Sequence, residues 1–219
     1  MNDEFWRIIA TWFIYFVFYS VCGFFLEIIH SAANRKVWEN RGFLFGPYCP
    51  IYGVGALILI AATHHFAMNP ILVFLMAMLV CTAIEYVTAV ILEKVFKMRW
   101  WDYSKYRYNF QGRIYYRNSI LFGFGGLAII YITQPSVESI VAGMESGLLI
   151  GVAITAAVIM GIDFVMSCIA NYNIKGIIGQ TIGASAQQIK ATAISFYLHP
   201  KRIREKLREL KNGGLSGKS

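Results

Sequence analysis

Three acidic residues, Glu27, Glu85 and Asp163, lie inside long apolar runs of the sequence. At the centre of a bilayer a charged side chain costs about 2.5–3.5 kcal/mol on insertion scales, so each of these acids needs a proton, a partner or water. Carboxyl groups in such a position can bind a cation, relay a proton or hold a polar substrate. His30 lies about one helical turn beyond Glu27 and would share its face of a helix. These four residues are the candidates for a substrate or ion site.

The three acids have a common position relative to the ends of their apolar runs, because each stands eight or nine residues before the polar end. With a rise of about 1.5 Å per residue, all of them would lie roughly 12–13 Å inside the same membrane boundary. This shared level predicts one polar site that opens to one side of the membrane. The alternative is that each acid is protonated or paired with a basic loop residue and only fixes helix packing.

The elements that position these acids are long apolar segments. Of 219 residues, 57% are hydrophobic and 15% are charged, whereas a soluble domain has about 25% charged residues. This composition excludes a soluble class and predicts an all-α, polytopic transmembrane helix bundle of about five spans. We expect the spans near residues 6–29, 48–62, 71–92, 119–133 and 147–170.

The basic residues are distributed unevenly, and their excess gives a net charge of +8. They are concentrated in segments 31–47 and 93–118 and after residue 171. The positive-inside rule places these segments in the cytoplasm and the N-terminus outside. The excess is therefore interpreted as a topology signal, and no nucleic-acid partner is predicted.

The C-terminal part differs from the rest, so we divide the chain into a transmembrane domain, 1–171, and a cytoplasmic tail, 172–219. Residues 201–210 predict a basic amphipathic helix that faces the anionic lipids of the inner leaflet. A solvated helix that only enforces topology is the alternative. Segment 176–198 is either interfacial or a sixth span, and the interfacial interpretation keeps the following basic residues inside.

Two loops carry distinctive sequences. The stretch GFLFGPYCPIYG at 42–53 contains three glycines and two prolines, Pro47 and Pro50, so no regular helix runs through it and a broken or re-entrant entry to the second span is predicted. The second loop combines tryptophan and tyrosine with basic residues, as is typical of the headgroup zone. The loop candidates are Arg41, Pro47, Pro50, Tyr52, Arg99, Trp101, Asp102, Tyr103, Asn109 and Arg113.

These stretches, GFLFGPYCPIYG at 42–53 and WDYS…N..GRI at 101–114, resemble the ABC-transporter type IV family of bacterial integral membrane proteins, also called CmpB-like. The resemblance covers roughly residues 10–135. It implies a multi-pass protein of the bacterial cytoplasmic membrane with a transport role. The sequence contains no GxxxxGK[ST] motif, so such a permease would need a separate ATPase subunit.

Three functions stay open at this point. The first is a permease subunit with an intramembrane polar site. The second is a membrane-embedded enzyme acting on a lipid or lipid-linked substrate, with Glu27 or Asp102 as general base. His30, Arg99 or Arg113 would then hold a phosphate. The third is an assembly or regulatory protein. No cofactor is predicted, and the cysteines and histidines lack metal-ligand spacing.

Overall fold

The computed structural model describes residues 2–35, 43–64, 67–96 and 99–178. It describes the backbone alone for residues 2, 30–35 and 171–178. The predictions for Arg41, for the side chain of His30 and for the tail beyond residue 178 therefore lie outside the described part.

Helices make up nearly all of the described structure. They are α1 (Asn2–Arg35), α2 (Pro50–Thr63), α3 (Pro70–Phe96), α4 (Tyr116–Ala128), α5 (Gln134–Ala142) and α6 (Ser146–Ile178). A π-helical segment, Ile129–Thr133, joins α4 to α5, and two short antiparallel strands, β1 (Asn109–Phe110) and β2 (Ile114–Tyr115), lie between α3 and α4.

The predicted class, an all-α transmembrane bundle, is confirmed. Four helical stretches of the described part are long and apolar enough to cross a membrane: Asp3–Ile29, Pro70–Phe96, Tyr116–Ala142 and Ser146–Ala170. Helix α2 is the fifth apolar helix, but its 14 residues rise only about 21 Å, less than the roughly 30 Å of hydrocarbon.

The short helix α2 begins deep inside the bundle, beside the middle of α1. The Cys49 amide donates a hydrogen bond of 2.8 Å to the Ser20 carbonyl. Pro50 opens the helix, where its missing N–H costs nothing. The preceding residues 43–49 fold into the bundle, and Leu44 there is only 1% exposed. This is the broken entry that the prolines predicted.

The fourth span differs from its prediction. We expected it to end at residue 133 and a loop to follow, but the helix continues through α5 to Ala142. Pro135 lacks an N–H, and the π-helical turn before it accommodates the lost hydrogen bond. Gln134 is buried and accepts a hydrogen bond of 2.9 Å from the Tyr19 hydroxyl of α1. Because that polar side chain has a partner in the bundle, the drop in hydropathy does not end the helix.

Contacts between the helices determine which segments surround the site. Helix α1 packs against α2 and α6, α2 packs against α3, and α3 packs against α4. Arg7 of α1 donates to the carbonyls of Met144 and Ala142 and to the Ser146 hydroxyl, at 3.0, 3.1 and 2.8 Å. Helices α1 and α6 therefore start at the same end of the bundle and run parallel.

Candidate functional site

Each of the three intramembrane acids accepts a hydrogen bond from a tyrosine hydroxyl. The tyrosines come from the two stretches that the sequence singled out. The pairs are Glu27 with Tyr52, Glu85 with Tyr103, and Asp163 with Tyr48. A phenol is a neutral donor, so these pairs solvate carboxyl groups at depth without an opposite charge.

The first pair joins α1 to α2. The Tyr52 hydroxyl lies 2.5 Å from Glu27 Oε1. The Tyr52 side chain packs against Gly23, one turn before Glu27, where any Cβ would overlap the tyrosine. Pro50 and Gly23 thus position Tyr52, since one starts the helix and the other makes room for the ring.

The second pair joins α3 to the long loop and to α4. Glu85 is 7% exposed, and its Oε1 accepts from the Tyr103 hydroxyl at 3.3 Å. The same hydroxyl accepts a 2.8 Å hydrogen bond from the Asn118 amide. Within the described part, Glu85 Oε2 and Thr82 Oγ1 are buried and have no hydrogen-bond partner.

Tyr103 lies close enough to both glutamates to be influenced by their charge. Burial raises the pKa of its phenol above the ordinary value, and the negative charges of Glu85 and Glu27 raise the pKa further. The phenol therefore stays protonated and remains a donor over the physiological pH range. We call Glu27, Tyr52, Glu85, Tyr103 and Asn118 the Glu27–Glu85 cluster.

Asp163 has a different role, because it holds the entry to α2. Its Oδ1 accepts from the Phe45 amide at 3.1 Å and from the Ser167 hydroxyl at 3.0 Å. Its Oδ2 accepts from the Gly46 amide at 2.8 Å and from the Tyr48 hydroxyl at 2.6 Å. Two donors on each oxygen suit an ionised carboxylate. Asp163 thus fastens segment 43–49 to α6.

The level of the acids along the bundle can be compared through the parallel helices α1 and α6, which meet where Arg7 bonds Ser146. Glu27 lies 20 residues beyond Arg7 and Asp163 lies 17 residues beyond Ser146. These counts correspond to about 30 Å and about 26 Å of helix. The acids therefore lie within roughly 5 Å of each other along the axis, although their hydrogen bonds separate Asp163 from the Glu27–Glu85 cluster.

The loop between α3 and α4 places Tyr103 through a network of its own. The Asn109 side chain accepts from the Gly112 amide at 2.8 Å, and the Gly112 carbonyl accepts from the Tyr103 amide at 2.8 Å. Gly112 has φ +69°, a left-handed conformation that glycine adopts without strain. The Trp101 indole donates to the Arg113 carbonyl at 3.0 Å. The residues of WDYS…N..GRI are thus the ones that fold this loop.

Arg99 and Arg113 both bind Glu93, near the end of α3. Arg113 Nη2 lies 2.8 Å from Glu93 Oε2, and Arg99 Nε lies 3.2 Å from Glu93 Oε1. Arg99 also lies 3.6 Å from Asp102. These are the ion pairs of the described residues, and none of them includes an acid of the tyrosine pairs.

Asp102 caps the turn that follows it. The carboxylate accepts from the Ser104 hydroxyl at 2.5 Å and from the Ser104 amide at 2.9 Å. These bonds, together with the charge of Arg99, hold the pKa of Asp102 below its ordinary value. Three of the groups that an enzyme acting on a phosphorylated lipid would use, Asp102, Arg99 and Arg113, are thus engaged in holding the loop.

Some residues of this region were not among the sequence candidates, including Tyr48, Asn118 and Glu93. Tyr48 lies inside the proline-containing stretch, so its position next to Pro47 could have indicated that it belongs to the site. Asn118 and Glu93 lie at the polar ends of apolar runs, where polar residues are common, and nothing in the sequence distinguishes them. Among the described residues, no group of three or more His, Cys, Asp or Glu side chains is placed to hold a metal ion.

Fold and site together define a multi-pass helical membrane protein with tyrosine-bonded carboxyl groups inside the bundle. The sequence model of the family described as "Putative ABC-transporter type IV" matches residues 14–168. The chain belongs to this family, as its two loop stretches indicated, and it is a membrane protein of a transport family. The matched region contains the three tyrosine–acid pairs. No curated protein matches the chain, and no solved structure does.

Proposed function

We propose that the protein is a permease subunit of a transporter and that the Glu27–Glu85 cluster is its intramembrane polar site. The observation that carries this proposal is the meeting of two carboxyl groups, one from α1 and one from α3, around tyrosines supplied by α2 and by the long loop. Four separate segments of the chain thus contribute to one polar cluster inside an apolar bundle.

The energetic cost of this cluster supports a functional role. Each buried carboxyl group costs several kcal/mol unless it is paired or neutralised, and well-packed apolar residues are often at least as stabilising as buried charges. The partners of these glutamates in the described part are neutral phenols, and through Tyr103 an amide. A site built in this way favours cations or the positively charged part of a substrate.

The position of the cluster supports access from the cytoplasm. One tyrosine, Tyr52, lies just after the segment that follows α1, and the other, Tyr103, lies in the loop that follows α3; both segments contain basic residues. By the positive-inside rule these loops face the cytoplasm of a bacterial inner membrane, with the N-terminus outside and the tail inside. Anionic lipids of the inner leaflet would then contact the basic segments.

The family to which the chain belongs supports ATP hydrolysis by a partner subunit as the energy source. Without a GxxxxGK[ST] motif the chain does not bind ATP in a P-loop. A transporter of the ABC type would therefore combine this subunit with a separate ATPase.

The test is to purify the full-length protein from a bacterial membrane in a polymer disc and to record native mass spectra of what accompanies it. We expect a stoichiometric ATPase whose hydrolysis rate falls at least tenfold in Glu27→Gln and in Glu85→Gln. Glu138→Gln is the matched control, because this exposed acid of α5 lies outside the cluster. Purification without an ATPase would contradict the permease proposal. If both cluster variants hydrolyse ATP at the wild-type rate, the two glutamates serve only helix packing.

A further inference from the structure

The described part of the loop between α3 and α4 folds back along α3 instead of extending away from the bundle. The Tyr86 hydroxyl of α3 donates a hydrogen bond of 3.0 Å to Gln111 Oε1 in the hairpin turn, and the rings of Tyr86 and Phe110 lie 5.8 Å apart. Tyr86 stands ten residues before Phe96, the last residue of α3, which corresponds to about 15 Å of helix. The turn therefore lies beside α3 well before the helix ends.

The length of α3 places this turn at the depth of the membrane. The helix, Pro70–Phe96, contains 27 residues and qualifies as a membrane span. It rises about 40 Å, whereas the hydrocarbon core is about 30 Å thick. Even if the whole surplus of roughly 10 Å projected at the Phe96 end, Tyr86 would lie about 5 Å inside the hydrocarbon. The turn beside Tyr86 thus reaches the boundary between headgroups and hydrocarbon.

Residues 103–118, which we call the tyrosine hairpin, expose aromatic side chains at this level. Tyr108 is 66% exposed and Phe110 is 57% exposed. Val87 and Ile91, on the part of α3 beside the turn, are exposed as well, and they face lipid because α3 is a membrane span. The exposed aromatic side chains therefore continue the lipid-facing surface of α3, and tyrosine and phenylalanine are typical of the membrane interface.

The exposed tyrosines are held in fixed positions. The Tyr108 ring packs edge-on against Tyr116 at 5.8 Å, and the Tyr106 ring lies 4.9 Å from Tyr115. Tyr108 has φ +60°, a left-handed conformation that is strained for a bulky residue. The Asn109 side chain supports this turn by donating to the Tyr106 carbonyl at 2.8 Å. Strain of this kind persists where the surrounding structure fixes it, and it is concentrated at functional positions.

The tyrosine hairpin is also basic. It contains four basic residues and no acidic one, and one of the four binds an acid of α3. The other three are exposed and form no ion pair with a described residue: Lys105, Arg107 and Arg117. The Arg107 guanidinium lies 4.8 Å from the centre of the Tyr108 ring. Exposed cations beside aromatic rings at the end of a span match the phosphates and the acyl-chain boundary of a leaflet.

We propose that the tyrosine hairpin binds anionic phospholipids of the adjacent leaflet. Phe110 enters the boundary of the acyl chains, and the lipid phosphates are bound by the three unpaired basic residues: Lys105, Arg107 and Arg117. A bilayer fits this surface because its aromatic part continues the lipid-facing side of α3 and its charge is opposite to that of the lipid. A soluble partner would not reach Phe110 at the depth of Tyr86. This inference does not depend on the proposed transport function.

The experiment is photo-cross-linking of the full-length protein in lipid nanodiscs that contain equal parts of phosphatidylglycerol and phosphatidylcholine. The photoreactive amino acid p-benzoylphenylalanine replaces Phe110, and mass spectrometry identifies the adducts. We expect phosphatidylglycerol adducts to exceed phosphatidylcholine adducts by about threefold or more, because basic side chains attract anionic lipid. The same amino acid in place of Leu79, an exposed residue of the α3 span, is the control and should give both adducts in similar amounts.

The combined substitution Lys105→Gln, Arg107→Gln and Arg117→Gln tests the basic part of the surface. Lipid adducts at position 110 should persist, but the preference for phosphatidylglycerol should fall to that found at position 79. A preference that survives these substitutions, or equal adducts of the two lipids without them, refutes the binding of anionic lipid by these residues.

Two further results overturn the inference with the basic residues intact, so they do not depend on the folding of the triple variant. Absence of lipid adducts at position 110, with adducts present at position 79, shows that the turn does not touch the bilayer. Adducts to a protein in place of lipid, either a second copy in the nanodisc or another protein in native membranes, assign the tyrosine hairpin to protein contact.

Discussion

Removal of the Asp163 carboxylate should release segment 43–49 from α6. The carboxylate accepts hydrogen bonds from Phe45, Gly46, Tyr48 and Ser167, at 3.1, 2.8, 2.6 and 3.0 Å. Asp163→Ala removes every one of these acceptors and leaves two backbone amides inside the bundle without this partner. Asp163→Asn keeps one acceptor oxygen but turns an NH₂ group toward the donors on the other side.

The expected magnitude follows from these bonds. A hydrogen bond to a charged group contributes about 1.5–3 kcal/mol and an orphaned buried amide costs about 1–3 kcal/mol. Bonds to one carboxylate are not additive, and the side chain is only partly buried. We therefore expect a loss of about 3–5 kcal/mol for Asp163→Ala and roughly half of that for Asp163→Asn. For a chain of this size the loss corresponds to a melting temperature lower by roughly 6–20 °C in the alanine variant.

The assay is thermal unfolding in a mild detergent, followed by tryptophan fluorescence. Ser167→Ala removes one of the bonds to Asp163 and should cost about 1 kcal/mol. Glu138→Gln is the matched control, because this acid of α5 is exposed. If Asp163→Ala melts within about 2 °C of the wild-type protein, the anchoring role of Asp163 is refuted.

Two further predictions concern helix packing and the loop. Gly126→Ala should lower the free energy of unfolding by about 1–3 kcal/mol, because its Cβ would overlap the Cβ of Ala77. Gly125→Ala is the control, since a Cβ there meets open space. Equal melting temperatures of the two variants would contradict this packing. Because the hydrogen bonds from Ser104 lower the pKa of Asp102, the stability that this carboxylate gives the loop should be complete at neutral pH. It should be lost as the pH falls through that lowered pKa, and hydrogen exchange of the loop in Asp102→Asn should lack this transition.

The two loop stretches illustrate how far prediction from the sequence reached into the site. Pro47 and Pro50 predicted a broken entry to α2, since proline restricts φ wherever it occurs. Tyr52 and Tyr103 were recognised as loop candidates and Glu27 and Glu85 as site candidates, but the pairing of each tyrosine with its acid was not predicted. Those partners lie 25 and 18 residues away, so the pairing depends on how each loop folds back, which local preferences do not specify.

The sequence by itself determined that this chain is an apolar helical bundle with three acids in costly positions, because hydropathy and charge are sums over neighbouring residues. Only the tertiary structure decided that α2 is short, that Gln134 continues a helix instead of ending it, and that each acid meets one particular tyrosine. It also separated Asp163, which anchors a segment, from Glu85, whose second oxygen has no partner in the described part. The reason is that a buried polar group is stabilised by whichever donor the packed helices bring to it, and this donor is distant in sequence.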